Sequence, residues 1–179
     1  MPRLFVAVEV PQAVRSAVGE AVAPLRAAMP GLRWVAPERY HLTLVFIGSV
    51  DEAAVPAVEE AVDQGCRGVP AFPLQLDGRI GSFGRRVIWV GVRTSAELAS
   101  LAVRVAQRLG EVVPLPNGQR VFRAHLTVAR AGRQKVRAGT LRDVTAPAVA
   151  WPVERIVLLR SAAGYEVVRA VDLAAATDA

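Results

Sequence analysis

Two histidines occur in the 179 residues, and both stand in the same short setting: His41-Leu42-Thr43-Leu44 and His125-Leu126-Thr127-Val128. The surrounding stretches, His41 to Ile47 and Val121 to Ala129, read as strands from their β-branched and aromatic content. Alternation along a strand puts His41 with Thr43 on one face and Leu42 with Leu44 on the other. His125 with Thr127, and Leu126 with Val128, repeat the arrangement. Each copy offers an imidazole and a hydroxyl side by side on a rigid element. Two such strands placed near one another would bring two imidazoles and two hydroxyls to one cleft.

Imidazoles titrate near neutral pH, so one can hold a proton while the other lacks it. That suits a reaction needing a general acid and a general base at once. Hydroxyls donate hydrogen bonds to the oxygens of an anion. Acid, base and anion donors together form a kit for opening a phosphodiester without a metal. Two histidines with no evident partnering carboxylates make a poor metal-ligand set. The single cysteine, Cys66, excludes an intrachain disulfide and a cysteine-built zinc centre, and reads as a small semi-buried apolar residue. No glycine-rich loop of the phosphate-cradling kind is present, and no cofactor is expected.

The net charge of +6 favours a nucleic-acid or other phosphate partner. Part of it reflects a bias toward arginine, since Lys135 is the one lysine among 22 basic residues. The opening apolar run, Leu4 to Val10, is interrupted by Glu9 and is too short for a signal peptide; no stretch reaches membrane-spanning length. These absences lead to the expectation of a cytoplasmic protein with no membrane partner.

The elements that must position the histidines follow from periodicity. Leu4 to Val10 predicts a buried strand, Gln12 to Met29 a helix, and Leu32 to Val35 a short strand. Asp51-Glu52 opens a helix to about Gln64, and Gly65 to Pro70 reads as a loop. Phe72 to Leu76 predicts a strand, Asp77-Gly78 a tight turn, and Ile80 to Phe83 a continuation. Val87 to Val92 is a strong strand, Ser95 caps a helix from Ala96 to about Leu109, and Pro114 to Gly118 is a loop. Arg130 to Thr140 reads as loop or frayed helix, and Val153 to Arg160 with Tyr165 to Leu173 as a closing hairpin. The tail Ala174 to Ala179 is expected to be poorly ordered. Each half contains strands, a long helix and then a His-Leu-Thr strand. This predicts a degenerate internal duplication: two lobes, each a sheet backed by helices, facing one another across a cleft. Trp34, Trp89 and Trp151 read as core, as does Phe46 under strict alternation; Arg39 and Tyr40 are placed at the rim.

The paired His-x-Thr-x motifs resemble those of the two-histidine phosphoesterases, and more closely the RNA 2′,3′-cyclic phosphodiesterases of the 2′-5′ RNA ligase family. The likeness covers nearly the whole chain: Arg3 to Val8, Arg33-Trp34-Val35, Tyr40 to Gly48, Arg86 to Val92, Arg123 to Arg130, and the hairpin from Leu159 to Tyr165. The resemblance implies an α+β, bilobal, pseudo-symmetric fold with a central cleft, residues 1–179 forming a single domain of two interleaved lobes. It implies metal-free hydrolysis of a ribose 2′,3′-cyclic phosphate at an RNA end to the 2′-phosphate, with reversible 2′-5′ end joining as a side activity. Catalytic roles then fall on His41 as general acid and His125 as general base, although the near-symmetry of the motifs leaves their order open. Phosphate binding falls on Thr43 and Thr127, and the family's phosphate-side arginine resembles Arg130. A monomer without an obligate protein partner is expected. Two other readings stay open: a phosphodiesterase acting on another cyclic or 2′-5′-linked nucleotide, and a non-catalytic RNA-end binder in which the histidines only grip phosphate.

Overall fold

The computed structural model describes residues 1–116 and 122–175. In chain order the strands are β1 (Arg3–Glu9), β2 (Arg33–Trp34), β3 (His41–Ser49), β4 (Phe72–Phe83), β5 (Val87–Val92), β6 (His125–Arg130), β7 (Ala150–Val153), β8 (Arg155–Ser161) and β9 (Tyr165–Asp172). The helices are α1 (Gln12–Ala21), α2 (Ala23–Ala28), α3 (Val55–Cys66) and α4 (Ala96–Gly110). The strands run β7-β4-β5-β6-β3-β1-β8-β9, with β2 added to β6, and every pairing is antiparallel.

The two His strands are therefore neighbours. β3 and β6 meet at one pair, Leu42 with Leu126, and diverge on either side of it. This junction joins the two lobes: β1, β3, β8 and β9 on one side, β2 and β4 to β7 on the other. Both leucines have zero exposure, and burying a leucine side chain stabilises by about 1.5–3 kcal/mol. The same strand–helix–strand unit feeds each half, β1–α1–β3 and β5–α4–β6.

Packing refines several sequence expectations. The helix predicted over Gln12 to Met29 is two helices, because Pro24 lies in the first turn of the second and supplies no N–H to the turn before it. Gly65 lies inside α3 rather than in a loop, and there α3 crosses α4 closely: a Cβ on Gly65 would sit 2.9 Å from Val105 Cα. Asp77-Gly78 does not turn the chain. β4 runs through it with a bulge between Leu76 and Ile80, where Gly78 takes φ +83° and the Asp77 carboxylate accepts from the Arg79 N–H at 2.9 Å. The α4 start is as predicted, Ser95 Oγ accepting from Leu98 N–H at 3.2 Å. Strand β6 begins at His125, and the segment from Arg130 to Thr140 is irregular until a 3₁₀ turn at Ala138–Leu141. The predicted start of that strand at Val121, the end of the loop at Asn117 and Gly118, and the tail beyond Ala175 lie outside the described residues.

Candidate active site

The site is built on the open face of β3 and β6. Leu42, Leu44, Leu126 and Val128 are buried on the core face, while His41, Thr43, His125 and Thr127 are half-buried on the opposite one. Extending the Leu42–Leu126 register by one residue each way sets His41 opposite Thr127 and Thr43 opposite His125. The two imidazoles and two hydroxyls thus share one face, as the alternation predicts.

Both imidazoles are oriented by the same device. His41 Nδ1 lies 2.9 Å from the Arg39 carbonyl oxygen, and His125 Nδ1 lies 2.7 Å from that of Arg123. A carbonyl has no proton to give, so each Nδ1–H donates. Each Nε2 is then the ring nitrogen left for other partners, able to accept a proton when the ring is neutral and to give one when it is charged. Aromatic rings fix the planes. His41 sits 4.9 Å from Phe5 and 4.9 Å, edge-on, from Tyr165; His125 sits 5.0 Å, edge-on, from Phe83. Arg39 is exposed at the rim, its guanidinium 4.5 Å over the Tyr165 ring, whereas Tyr40 turns inward and is buried.

Strict alternation fails directly after each threonine. Between β1 and β3 the register passes from Ala7–Thr43 to Val6–Val45, leaving Leu44 unpaired. Between β5 and β6 it passes from Trp89–Thr127 to Ile88–Ala129, leaving Val128 unpaired. A bulge in the same place in each copy turns the next side chains over. Phe46, expected in the core, instead packs against Phe5, Ala7, Val157 and Leu159 beside His41. Arg130, paired with Val87, comes to the Thr127 face. Trp89, also expected in the core, lines the cleft next to Phe83 at 5.6 Å, while Trp151 is buried as predicted and Trp34 is half-buried, its Nε1 donating to the Met29 carbonyl at 3.0 Å.

Electrostatics tie the pieces together. Burial lowers the His41 pKa below the ordinary imidazole value, and the positive charges of Arg130, Arg39 and a protonated His125 lower it further, against the Arg39 carbonyl, which raises it. Arg130 and His125 thus act on His41 across the strand junction. Beside His125 opens a cavity of about 320 Å³, lined among others by Asp77, Arg79, Phe83, Trp89, Phe122 and Arg123; cavities of roughly 300–1,000 Å³ hold small-molecule ligands. Phe5, Phe83 and Tyr165 come from distant strands and carry no local pattern that points to them. Cys66 is buried and its thiol is pushed up to about 12 by desolvation, so it is not a nucleophile at neutral pH. Among the described residues no three His, Cys, Asp or Glu side chains cluster, and no helix is long and apolar enough to cross a membrane.

A two-lobed antiparallel sheet with one His-x-Thr strand from each lobe at the junction is the architecture of the two-histidine phosphoesterases. The chain belongs to the 2′-5′ RNA ligase superfamily, whose family model matches residues 11–164. It is 34% identical over 136 residues to an RNA 2′,3′-cyclic phosphodiesterase of Archaeoglobus fulgidus, covering 74% of each chain. Among solved structures, a Thermus thermophilus protein superposes with a TM-score of 0.83 at 27% identity, over 97% of this chain and 98% of that one. LigT of E. coli in its apo form superposes with a TM-score of 0.74 at 26% identity, over 97% and 98%.

Proposed function

We propose that the protein hydrolyses the 2′,3′-cyclic phosphate at an RNA end to a 2′-phosphate without a metal, His41 and His125 acting as an acid–base pair. The observation that carries the reading is the matched pair of Nδ1–H bonds, 2.9 and 2.7 Å, which leaves two Nε2 atoms free on one face. The relatives named as RNA 2′,3′-cyclic phosphodiesterases support the substrate.

In the reaction, His125 Nε2 takes a proton from water as the water oxygen bonds to phosphorus. The P–O3′ bond breaks, and His41 Nε2–H delivers its proton to the departing O3′. Thr43 and Thr127 donate to the non-bridging oxygens, and Arg130 offsets the charge that builds on them. In the protein without substrate a charged His41 is disfavoured, since burial and Arg130 both favour its neutral form. A bound phosphodiester anion neutralises Arg130 and attracts an imidazolium, so His41 gains its proton with the substrate. With the 5′-hydroxyl of a second RNA in place of water, the same step joins two ends through a 2′-5′ bond as P–O3′ breaks; attack of O3′ on that phosphorus, with the 5′-oxygen leaving, reverses it. The two lobes share one sheet, and residues 1–179 act as one unit, a monomer in the cytoplasm that needs no protein partner.

The test is turnover of a nucleoside 2′,3′-cyclic phosphate by the wild type, His41→Ala and His125→Ala. Each general acid or base contributes about 100- to 10,000-fold, so each variant should lose at least that much in kcat while still binding the product. Wild-type inactivity on cyclic mononucleotides and on cyclic-ended RNA alike would overturn the reading. Loss of affinity without loss of turnover would indicate a binding role.

A further inference from the structure

The two lobes are near-symmetric in fold but not in charge. In the lobe of β1, β3, β8 and β9, surface arginines meet carboxylates: Arg155 with Glu9 at 2.9 Å, Arg160 with Glu52 at 2.7 Å, Arg169 with Asp63 at 2.6 Å. The lobe of β2 and β4 to β7 has such a pair on β4, Arg79 with Asp77 at 2.6 Å, but its β2–β6–β5 corner has none among the described residues. From Gly78 to Ala96 and from Val112 to Arg142 the sequence has no Asp or Glu, and these stretches carry half of the 22 basic residues. Arg33, Arg85, Arg86, Arg130, Arg133 and Lys135 are all exposed, and among the described residues none of them forms an ion pair.

These cations are contiguous. Arg33 on β2 pairs with Arg130 on β6, which pairs with Val87 on β5. The turn of Gly84, Arg85 and Arg86 runs from Phe83, whose ring lies on His125, to Val87, opposite Arg130. The segment after β6 is tied to the same corner: Ala131 N–H donates to the Arg86 carbonyl at 2.6 Å, Val136 N–H to that of Arg85 at 3.0 Å, and Arg33 Nε to the Ala131 carbonyl at 3.2 Å. A continuous row of unpaired cations therefore begins at the catalytic face and leads away over the β2–β6–β5 corner. Like charges held together without counter-charges repel, and a polyanion relieves that repulsion while releasing its own counterions.

We propose that this corner is a track for the backbone of single-stranded RNA. A 2′,3′-cyclic phosphate exists only at a 3′ end, so every further nucleotide of the substrate lies upstream of the reacting phosphorus. The upstream phosphates lie along Arg85, Arg86 and Arg133, beyond Arg130, and Arg33 holds the corner together. The preferred substrate is thus an oligonucleotide end rather than a cyclic mononucleotide. This rests on the phosphodiesterase reading of the same site.

The experiment compares kcat/KM for a cyclic mononucleotide and for a five-nucleotide RNA with a cyclic end, in wild type and in the triple variant Arg85→Gln, Arg86→Gln, Arg133→Gln. The track predicts that wild type prefers the oligonucleotide and that the variant loses roughly tenfold or more on it, through KM, with mononucleotide turnover unchanged. Each phosphate contact on a single strand contributes about 0.7 to the slope of log affinity against log salt, so three lost contacts flatten the oligonucleotide slope by about 2. Equal oligonucleotide KM and equal salt slope in variant and wild type would overturn the track. Binding of the same RNA ending in a 2′-phosphate, followed by fluorescence anisotropy, separates the two claims. Inactivity of the wild type on every cyclic substrate counts against the reaction, whereas unchanged RNA affinity in the variant counts against the track.

Discussion

Phe46 and Arg130 hold equivalent places in the two halves, each three residues after the threonine of its motif and each turned to the cleft face by a bulge in its strand. The backbone duplication is thus closely kept where the side chains have diverged. One copy closes its side of the cleft with an apolar ring against Phe5; the other places a guanidinium whose charge reaches His41. A near-symmetric frame therefore carries an asymmetric field, which is what a reaction with distinct entering and leaving oxygens requires.

Replacing Arg130 by Gln should raise the His41 pKa toward the ordinary imidazole value, since the guanidinium charge is one of the causes holding it down. The chain has two histidines, so a proton NMR titration shows two imidazole signals, assigned by His125→Ala. The same variant should lose about 10- to 1,000-fold in kcat/KM, the range for removing one preorganised charge donor. An unmoved His41 titration would mean that the Arg130 charge does not reach it.

The pH–rate profiles should differ between kcat/KM and kcat. The first reports groups of the free enzyme, the second those of the substrate complex. With His41 as the acid, the alkaline limb of kcat/KM falls below about 6.5, and that of kcat moves upward once a phosphate anion sits beside the ring. If instead the acid limb of kcat/KM is the one displaced downward, His41 is the base and the two roles exchange.

Folding stability should carry the same signature. His41 binds its proton less tightly in the folded chain, while the unfolded chain titrates near the ordinary imidazole value of about 6.5. Stability from this group is complete above that pH and is lost as pH falls through the lowered folded value, because there the unfolded state binds more protons. Urea melts of wild type and His41→Asn at neutral and mildly acidic pH should show a smaller acid loss in the variant.

Gly65→Ala should destabilise the protein by about 1–3 kcal/mol, because its Cβ would press on the Val105 backbone at 2.9 Å where α3 crosses α4. Differential scanning calorimetry reads the drop in Tm. Both imidazole titrations should stay in place, since this crossing lies on the far side of the sheet from the histidines.

Excess chelator should leave turnover of a cyclic nucleotide unchanged, as expected where both proton transfers and the anion contacts come from side chains. A loss restored by a divalent cation would replace the acid–base pair with a metal-dependent reaction.

The sequence by itself singled out His41, Thr43, His125 and Thr127 as residues of one face, because the chain has two histidines, each in the same His-Leu-Thr frame, whose period of two sorts them from the leucines between them. It also determined the α4 cap at Ser95 and the order of β1, β3, α3, β5, α4, β8 and β9, all local in cause, but not β7 (Ala150–Val153), whose pairing with β4 lies far along the chain. Tertiary structure decided that the two His strands are direct neighbours joined at Leu42 and Leu126, since cross-strand pairing depends on contacts far apart in the chain. The bulges after Thr43 and Thr127 arise from register with β1 and β5, and no pattern within β3 or β6 reveals that Phe46 and Arg130 turn to the cleft. The rings around the imidazoles come from other strands, and only the packed sheet brings Phe5 of β1 and Tyr165 of β9 to 4.9 Å from His41, and Phe83 of β4, with Trp89 of β5 beside it, to 5.0 Å from His125. The lowered proton affinity of His41 has the same origin, because desolvation and the field of Arg130 exist only once the lobes have closed on one another.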